Sequence, residues 1–90
     1  MAYRITITPE QVRGVASQFR AKSQESLSMT QFLDGRVKEM QPQWEGMTSQ
    51  RFYSDFETWK QQMQKHAELL ENIAVQLESA ATKFEQVDNP

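Results

Sequence analysis

Apolar residues in the second half of the chain recur at alternating steps of four and three residues. The members are Phe52, Phe56, Trp59, Met63, His66, Leu70, Ile73, Leu77, Ala80, Phe84 and Val87, of which only the histidine is polar. Such spacing places every member on one side of an α-helix, as in helices that pack side by side. The stripe therefore predicts a helix over 48–87, capped by Thr48 or Ser49 and about 60 Å long at a rise of ~1.5 Å per residue.

The first half of the chain carries a second helical pattern with a well-defined start. Thr8 is placed to act as the N-cap, Pro9 occupies the first helical position, and Gln11 can complete a capping box. The apolar row that follows is Val12, Ala16, Phe19, Leu33, Val37 and Met40, with Ser23, Ser26 and Thr30 on the same face. This pattern predicts a helix over 9–40, in which Gly35 costs about 1 kcal/mol relative to alanine.

Two long amphipathic helices with a short connector predict an all-α fold, an antiparallel two-helix hairpin that forms one domain over residues 1–90. Its predicted bend covers residues 41–48, and residues 88–90 form a tail. Residues 1–8 alternate apolar and polar side chains over most of their length and are predicted to be an extended strap on the helices. The predicted hairpin core is Val12, Phe19, Leu33, Val37, Met40, Phe52, Phe56, Trp59, Met63, Leu70, Ile73 and Leu77.

A second copy of the hairpin is expected, because a chain of 90 residues has a limited capacity to remove apolar surface from water by itself. On the side of the first helix roughly opposite the Val12 stripe, small residues recur every seven positions. They are Gly14, Ala21, Ser28 and Gly35, with Phe32 beside them. Such a row allows another helix to approach closely, although it also arises by chance on a solvated face. The size of the chain favours the first interpretation, a dimer that forms a four-helix bundle through this face.

The composition disfavours several classes of partner. Ten basic and 12 acidic residues give a net charge of -2, and the basic residues do not cluster. The chain thus lacks the electrostatic footprint that a phosphate backbone needs, and no nucleic acid is expected. The absence of cysteine excludes disulfides and thiolate metal ligands. The segment MAYRITITPE has no long apolar run, so no cleavable signal peptide is expected.

No combination of residues points to catalysis. His66 occupies a heptad position, where an imidazole is usually a satisfied, partly buried polar group, and no nucleophile or ligand set accompanies it. Four glutamates fall on or near the outer side of the second helix and are interpreted as a solvated face: Glu68, Glu71, Glu78 and Glu85. A phosphate-binding glycine loop, a His-Glu metal motif and a nucleophile elbow are all absent from the sequence. We expect no enzyme, no metal and no cofactor.

A tryptophan, an acid and a glycine, Trp44-Glu45-Gly46, stand in the predicted bend. Physically, glycine relieves backbone strain in a bend, and an indole can cover the open end of a helix pair. With this motif at the centre of a cysteine-free helical hairpin, the chain resembles the WXG family (ESAT-6-like or Esx proteins). The resemblance spans essentially the whole chain. Members of that family are substrates of type VII (ESX or Ess) secretion in Gram-positive and mycobacterial species.

The resemblance also implies an export signal made of two parts. In the family, the bend of one protomer lies close to a C-terminal Tyr-x-x-x-Asp/Glu motif of its partner. The matching position here runs from Phe84 to Asp88, with phenylalanine in place of tyrosine, so the implied signal residues are Trp44, Gly46, Phe84 and Asp88. The segment from Tyr53 to Glu57 fits the pattern literally, but it lies beside the bend and is interpreted as a coincidence.

The function implied by the resemblance is recognition without chemistry. The protein would be a virulence-associated substrate and adaptor or effector, exported folded as a dimer and cytoplasmic before export. A homodimer is expected, with a heterodimer with a paralogue as the alternative, and the receptor would be the FtsK/SpoIIIE-type secretion ATPase. Two other classes stay open: a membrane-perturbing effector, whose polar faces would lack the usual Lys and Arg enrichment, and a non-secreted coiled-coil assembly module.

Overall fold

The structure, a computed structural model, describes residues 4–88, with side chains for residues 4–86. It is a hairpin of two long helices that run antiparallel and extend over 66 Å. Helix α1 covers Pro9–Met40, a single 3₁₀ turn covers Gln41–Gln43, and helix α2 covers Met47–Asp88. The predicted all-α hairpin is confirmed. Neither helix, over the described residues, is long and apolar enough to cross a bilayer.

Helix α1 begins with the predicted capping box. The Gln11 backbone N–H donates to Thr8 Oγ1 at 3.1 Å, and the Thr8 backbone N–H donates to Gln11 Oε1 at 2.9 Å, with Pro9 at the first helical position. Residues 4–8 precede helix α1 without regular secondary structure and are exposed, so this part of the predicted strap is not buried on the helices. The remaining strap residues, 1–3, lie outside the described part of the chain.

Helix α2 begins differently from the prediction, which placed a cap at Thr48 or Ser49. The helix already starts at Met47, so both residues lie in its first turn. The Gln50 N–H and the Ser49 hydroxyl both donate to the Gly46 carbonyl, at 3.0 and 2.9 Å. Gly46 has a φ of +150°, a conformation that residues with a Cβ rarely adopt. The start of α2 is therefore set by the backbone freedom of glycine.

The centre of the helix contact consists of small side chains. The buried residues are Val12, Ala16 and Ser23 on α1, and Ser49, Ala67, Ala74 and Ala81 on α2. Three alanines at sevenfold spacing form one line along α2, and they allow the two backbones to approach closely. Ser23 Oγ donates to the Ala67 carbonyl at 2.7 Å across this contact and thereby fixes the alignment of the helices.

The predicted core stripe of α2 lies to one side of the three buried alanines. It does not form the centre of the helix contact, contrary to the prediction from the sequence. Its members Phe52, Phe56, Trp59, Met63, Leu70, Ile73 and Leu77 are half-buried, as are Phe19 and Val37 of α1, whereas Leu33 and Met40 are exposed. His66 is also exposed and does not belong to the contact. Among residues 4–86, Ser49 is the largest whose side chain is fully buried. One hairpin alone thus has a thin core.

Candidate functional site

In the bend, Trp44 packs against aromatic side chains of α2 and is still partly exposed to solvent. Trp44 follows the 3₁₀ turn in an extended conformation, with φ and ψ of -138° and 99°. Its ring lies 5.7 Å from that of Phe52 and 5.8 Å from that of Tyr53, the latter edge-on at 67°. The residue nevertheless remains 39% exposed. An indole that packs on one face and meets solvent on the other serves both as a plug and as a recognition surface.

Polar contacts tie the backbone of the bend to the first two turns of α2. Besides the two bonds to the Gly46 carbonyl, the Tyr53 hydroxyl donates to the Trp44 carbonyl at 3.2 Å. A shallow groove of about 300 Å³ lies beside these contacts and includes Glu45 in its wall. A Cβ added at Gly46 would meet no atom within 4 Å, so the requirement for glycine comes from its φ and not from lack of space.

The C-terminal part of the implied export signal lies at the other end of the molecule. Phe84 is half-buried near the end of α2, and Asp88 is the last residue of that helix, with its side chain outside the described residues. Since the hairpin is 66 Å long, the structure does not bring Trp44 and Gly46 together with Phe84 within one protomer. A signal made of both parts requires a second chain.

The row of small residues predicted as a dimer face is accessible. Gly14, Ala21, Ser28 and Gly35 are all exposed, and a Cβ added at either glycine would meet nothing within 4 Å. Phe32 beside them is 67% exposed. Helix α1 continues through Gly35 without a break. The row therefore takes no part in the helix contact of one hairpin.

One edge of the hairpin is closed by ion pairs between the helices. This charged edge consists of Arg13, Arg20, Asp34, Lys60, Glu71, Glu78 and Glu85. At its centre, Arg20 donates to Glu78 through Nη1 and Nη2, at 2.6 and 3.0 Å, and through Nε to Glu71 at 2.9 Å. These hydrogen bonds hold the pKa of Glu78 below its ordinary value. The Arg20 and Glu78 side chains remain 36% and 44% exposed, so the pairs align the helices more than they stabilise them.

The charged edge continues towards both ends of the hairpin. Arg13 pairs with Glu85, and the hydrogen bond from the guanidinium lowers the pKa of that carboxyl group. At the bend end, Lys60 Nζ donates to Asp34 Oδ1 at 2.9 Å and lowers the pKa of Asp34 in the same way. The ion pairs therefore reach from near the start of α1 to its last two turns.

The sequence interpretation of these glutamates was incomplete. Glu71, Glu78 and Glu85 were predicted to form a solvated face, whereas the structure pairs them with Arg20 and Arg13 across the hairpin. The signal was present in the sequence, because the two arginines and the three glutamates each recur at sevenfold spacing. Sevenfold spacing keeps residues on one flank of a helix contact.

The opposite edge of the hairpin is apolar and uncovered. This open edge consists of Phe19, Leu33, Met40, Phe52, Phe56, Trp59 and Leu70. A groove of about 580 Å³ runs between the helices near the bend, and a second of about 520 Å³ lies beside Phe19 and Leu70. The aromatic row of α2 continues along it from the bend, with Phe52 and Phe56 rings 6.1 Å apart and Phe56 and Trp59 rings 5.4 Å apart.

The described surfaces of the hairpin are suited to recognition. Within the part of the chain with described side chains, no three His, Asp or Glu side chains converge where a metal ion could sit. The two grooves of the open edge are lined mainly by apolar side chains. Such grooves suit another apolar surface better than a small polar ligand.

Comparison with known proteins identifies the family. Residues 4–89 match the sequence model of WXG100, described as proteins of 100 residues with WXG. The chain belongs to the WXG100 family. Within that family it is 33% identical to protein YukE of Bacillus subtilis over 88 residues, which cover 98% of this chain and 91% of that protein.

Two further relatives extend the comparison to secretion and to the fold. The type VII secretion system extracellular protein A of Staphylococcus aureus is 29% identical over 84 residues, or 93% of this WXG100 chain and 87% of the relative. The crystal structure of EsxB, a secreted protein of Bacillus anthracis, matches with a TM-score of 0.85 at 34% identity. That match covers 98% of this chain and all of the other, so the hairpin is the fold of both.

Proposed function

We propose that this WXG100 protein is a substrate of a type VII secretion system, exported folded as a dimer and acting by recognition. The single observation that carries the proposal is the bend, where Trp44 is anchored by Phe52 and Tyr53 yet stays 39% exposed. A tryptophan needed only as a plug could be covered completely. The proposal is supported by relatives that match nearly the whole chain and are named as extracellular or secreted proteins.

The proposed receptor is the FtsK/SpoIIIE-type ATPase of the secretion system. It would recognise a surface made of the Trp44-Glu45-Gly46 bend of one protomer and the Phe84 to Asp88 segment of its partner. The two segments lie at opposite ends of a hairpin that is 66 Å long. A second copy that runs antiparallel to the first would place the bend of one chain beside the C-terminal turn of the other. The dimer is therefore part of the export mechanism in this proposal.

The thin core supports the proposal of a dimer, and the distribution of large apolar side chains favours the open edge as its contact. Large apolar side chains line the open edge, whereas Phe32 is the only large apolar residue of the predicted small-residue face. Burial of apolar surface stabilises an association by roughly 25 cal/mol per Å², before the cost of association is subtracted. We therefore place the dimer contact on the open edge, in a four-helix bundle. The small-residue face and a paralogue as partner are the alternatives.

Light scattering separates the two faces. Leu70→Glu places a charge in the open edge and is expected to convert the dimer to a monomer. Ser28→Leu enlarges the small-residue face at a position outside the two grooves and is expected to leave the mass unchanged. The reverse result would move the contact to the small-residue face around Ser28. A purified wild-type protein that is monomeric, but forms a dimer with a paralogue, would replace the homodimer by a heterodimer.

Export is tested by the amount of protein in the culture supernatant of a host strain with and without its type VII ATPase. A cytosolic protein monitors lysis. Wild-type protein is expected outside only when the ATPase is present, and Trp44→Ala is expected to stay inside with its helicity by circular dichroism nearly intact. Leu69→Ala is the matched control, because Leu69 lies on the outer side of α2 and is 56% exposed.

Each outcome of this experiment selects one class of function. If Trp44→Ala loses its helicity, the tryptophan is mainly structural. If the wild-type protein stays inside in both strains, the protein is a non-secreted coiled-coil assembly module and the export proposal fails. If Leu69→Ala fails in the same way as Trp44→Ala, the bend has no special role in recognition.

A further inference from the structure

Tyr53 and Glu57 match the Tyr-x-x-x-Glu pattern, but the polar group of each already has a partner within the chain. The Tyr53 hydroxyl donates to the Trp44 carbonyl at 3.2 Å, and the Glu57 carboxylate accepts a contact from Lys60 Nζ at 2.8 Å. A signal read by a receptor needs its polar groups free to pair with that receptor. The Tyr53 hydroxyl is engaged in this way, although the Glu57 side chain is 63% exposed, and the contacts of Tyr53 are directed towards the bend.

The ring and the hydroxyl of Tyr53 restrain different parts of Trp44. Trp44 is extended between the 3₁₀ turn and α2, so its carbonyl lies outside any helical hydrogen-bond ladder. The Tyr53 hydroxyl supplies a donor to this carbonyl, and a polar group without a partner would be less restrained. The Tyr53 ring meets the indole edge-on, and Phe52 meets it from a second direction. Backbone and side chain of Trp44 are thus both fixed from α2.

We propose that Tyr53 is a positioning residue for the bend: it fixes the orientation in which Trp44 is presented to the secretion receptor. The consequence for export rests on the function proposed above. The local consequence, a bend that opens more often when the hydroxyl is missing, is independent of that function and can be measured on the purified protein.

The decisive variant is Tyr53→Phe, which removes the hydroxyl and keeps the ring. Thr58→Val is the matched control, because Thr58 also lies on α2 and its exposed hydroxyl also donates to a backbone carbonyl, that of Ser54, at 3.3 Å. Neither change removes apolar packing. Both variants are expected to keep the helicity of the wild-type protein, and because each loses one exposed hydrogen bond, their melting temperatures are expected to stay close to each other.

Hydrogen exchange of the Gln50 amide reports opening of the bend, since this amide donates to the Gly46 carbonyl. Tyr53→Phe is expected to speed its exchange about fivefold, the factor that corresponds to ~1 kcal/mol for one hydrogen bond at 1.4 kcal/mol per tenfold. In a Trp59→Phe background, Trp44 is the only tryptophan. Acrylamide is then expected to quench its fluorescence more strongly in Tyr53→Phe than in Thr58→Val.

Export completes the test. Tyr53→Phe is expected to lower the exported fraction severalfold, while Thr58→Val is exported like the wild type. Unchanged exchange and quenching in Tyr53→Phe would overturn the proposal, and so would faster exchange together with normal export, because recognition would then not need a fixed Trp44. If the wild-type protein itself is not exported, the proposed function fails, and the exchange and quenching results still decide whether Tyr53 fixes the bend.

Discussion

The charged edge and the open edge flank the same two helices, but only the charged edge is completed within one chain. On the charged edge, Arg20 reaches across the contact and meets two glutamates, so each group has a partner. On the open edge, half-buried apolar side chains such as Leu70 line grooves that still admit solvent. Exposed ion pairs contribute little to stability, whereas removing apolar surface from water lowers the free energy of the protein. One edge therefore sets the alignment of the hairpin, and the other drives the proposed association.

The largest expected effect comes from removing a side chain of the open edge. Leu70→Ala is expected to lower the free energy of unfolding by ~2–3 kcal/mol, because a leucine covered by a second copy loses its burial and leaves a cavity. Urea unfolding of the purified protein measures this loss. If the dimer contact lies on the open edge, the unfolding midpoint also rises with protein concentration, by mass action.

Leu69→Ala is the control for this prediction, since Leu69 is the neighbouring residue and is 56% exposed. Its free energy of unfolding is expected to stay within ~0.5 kcal/mol of the wild type, as for ordinary surface changes. Equal losses for the two variants would remove the distinction between the open edge and the outer surface of α2. A midpoint that does not depend on concentration would show that nothing covers the open edge.

Much of the fold could be predicted because its determinants are local. The capping box of Thr8 and Gln11 depends only on neighbours in sequence, and it is present in the structure. Periodicity likewise identified both helices. The centre of the contact was predicted one position away, since counting apolar residues favours Ile73 over Ala74, which is the buried residue. In an antiparallel pair that packs closely, small residues take the centre and large ones flank it.

The rest of the candidate site depends on contacts between the two helices, which one sequence does not display. That Glu78 faces Arg20 follows only once the alignment of the helices is known, and Ser23 helps to set this alignment through the Ala67 carbonyl. The role of Gly46 in the bend was recognisable from residue type. The start of α2 at Met47 could not be recognised from residue type, because it depends on the φ of +150° at Gly46.

A loss of stability of intermediate size is expected from a change in the line of buried alanines. This line lies between the two edges and allows the helices to pack closely. Ala74→Leu is expected to lower the free energy of unfolding by ~1–3 kcal/mol, because Ala74 is fully buried and a larger side chain forces the helices apart. Val75→Leu enlarges the next residue, which is exposed, and is expected to change little. If Ala74→Leu unfolds like the wild type, the close approach that separates the two edges is not needed for stability.

The smallest effect on stability is expected from the ion pairs of the charged edge, and the size of this effect depends on pH. The pKa values of Glu78 and Glu85 are lower in the folded protein than in the unfolded chain because of hydrogen bonds from Arg20 and Arg13. Between the two pKa values the unfolded chain binds more protons, so stability rises with pH there. The contribution is complete above the ordinary glutamate pKa of about 4.3 and is lost as the pH falls through the lowered folded values.

Urea midpoints of wild type and Arg20→Gln, measured from neutral pH down to about pH 2, isolate this contribution because the variant returns the pKa of Glu78 towards its unfolded value. Arg20→Gln is expected to lose less stability at neutral pH than Leu70→Ala and to show a flatter decline with acid. Leu70→Ala, in contrast, is expected to lower the whole curve without changing its slope. An Arg20→Gln curve as steep as that of the wild type would mean that other carboxylates control acid unfolding. The two edges would then differ in apolar content alone, and the charged edge would have no separate role in stability.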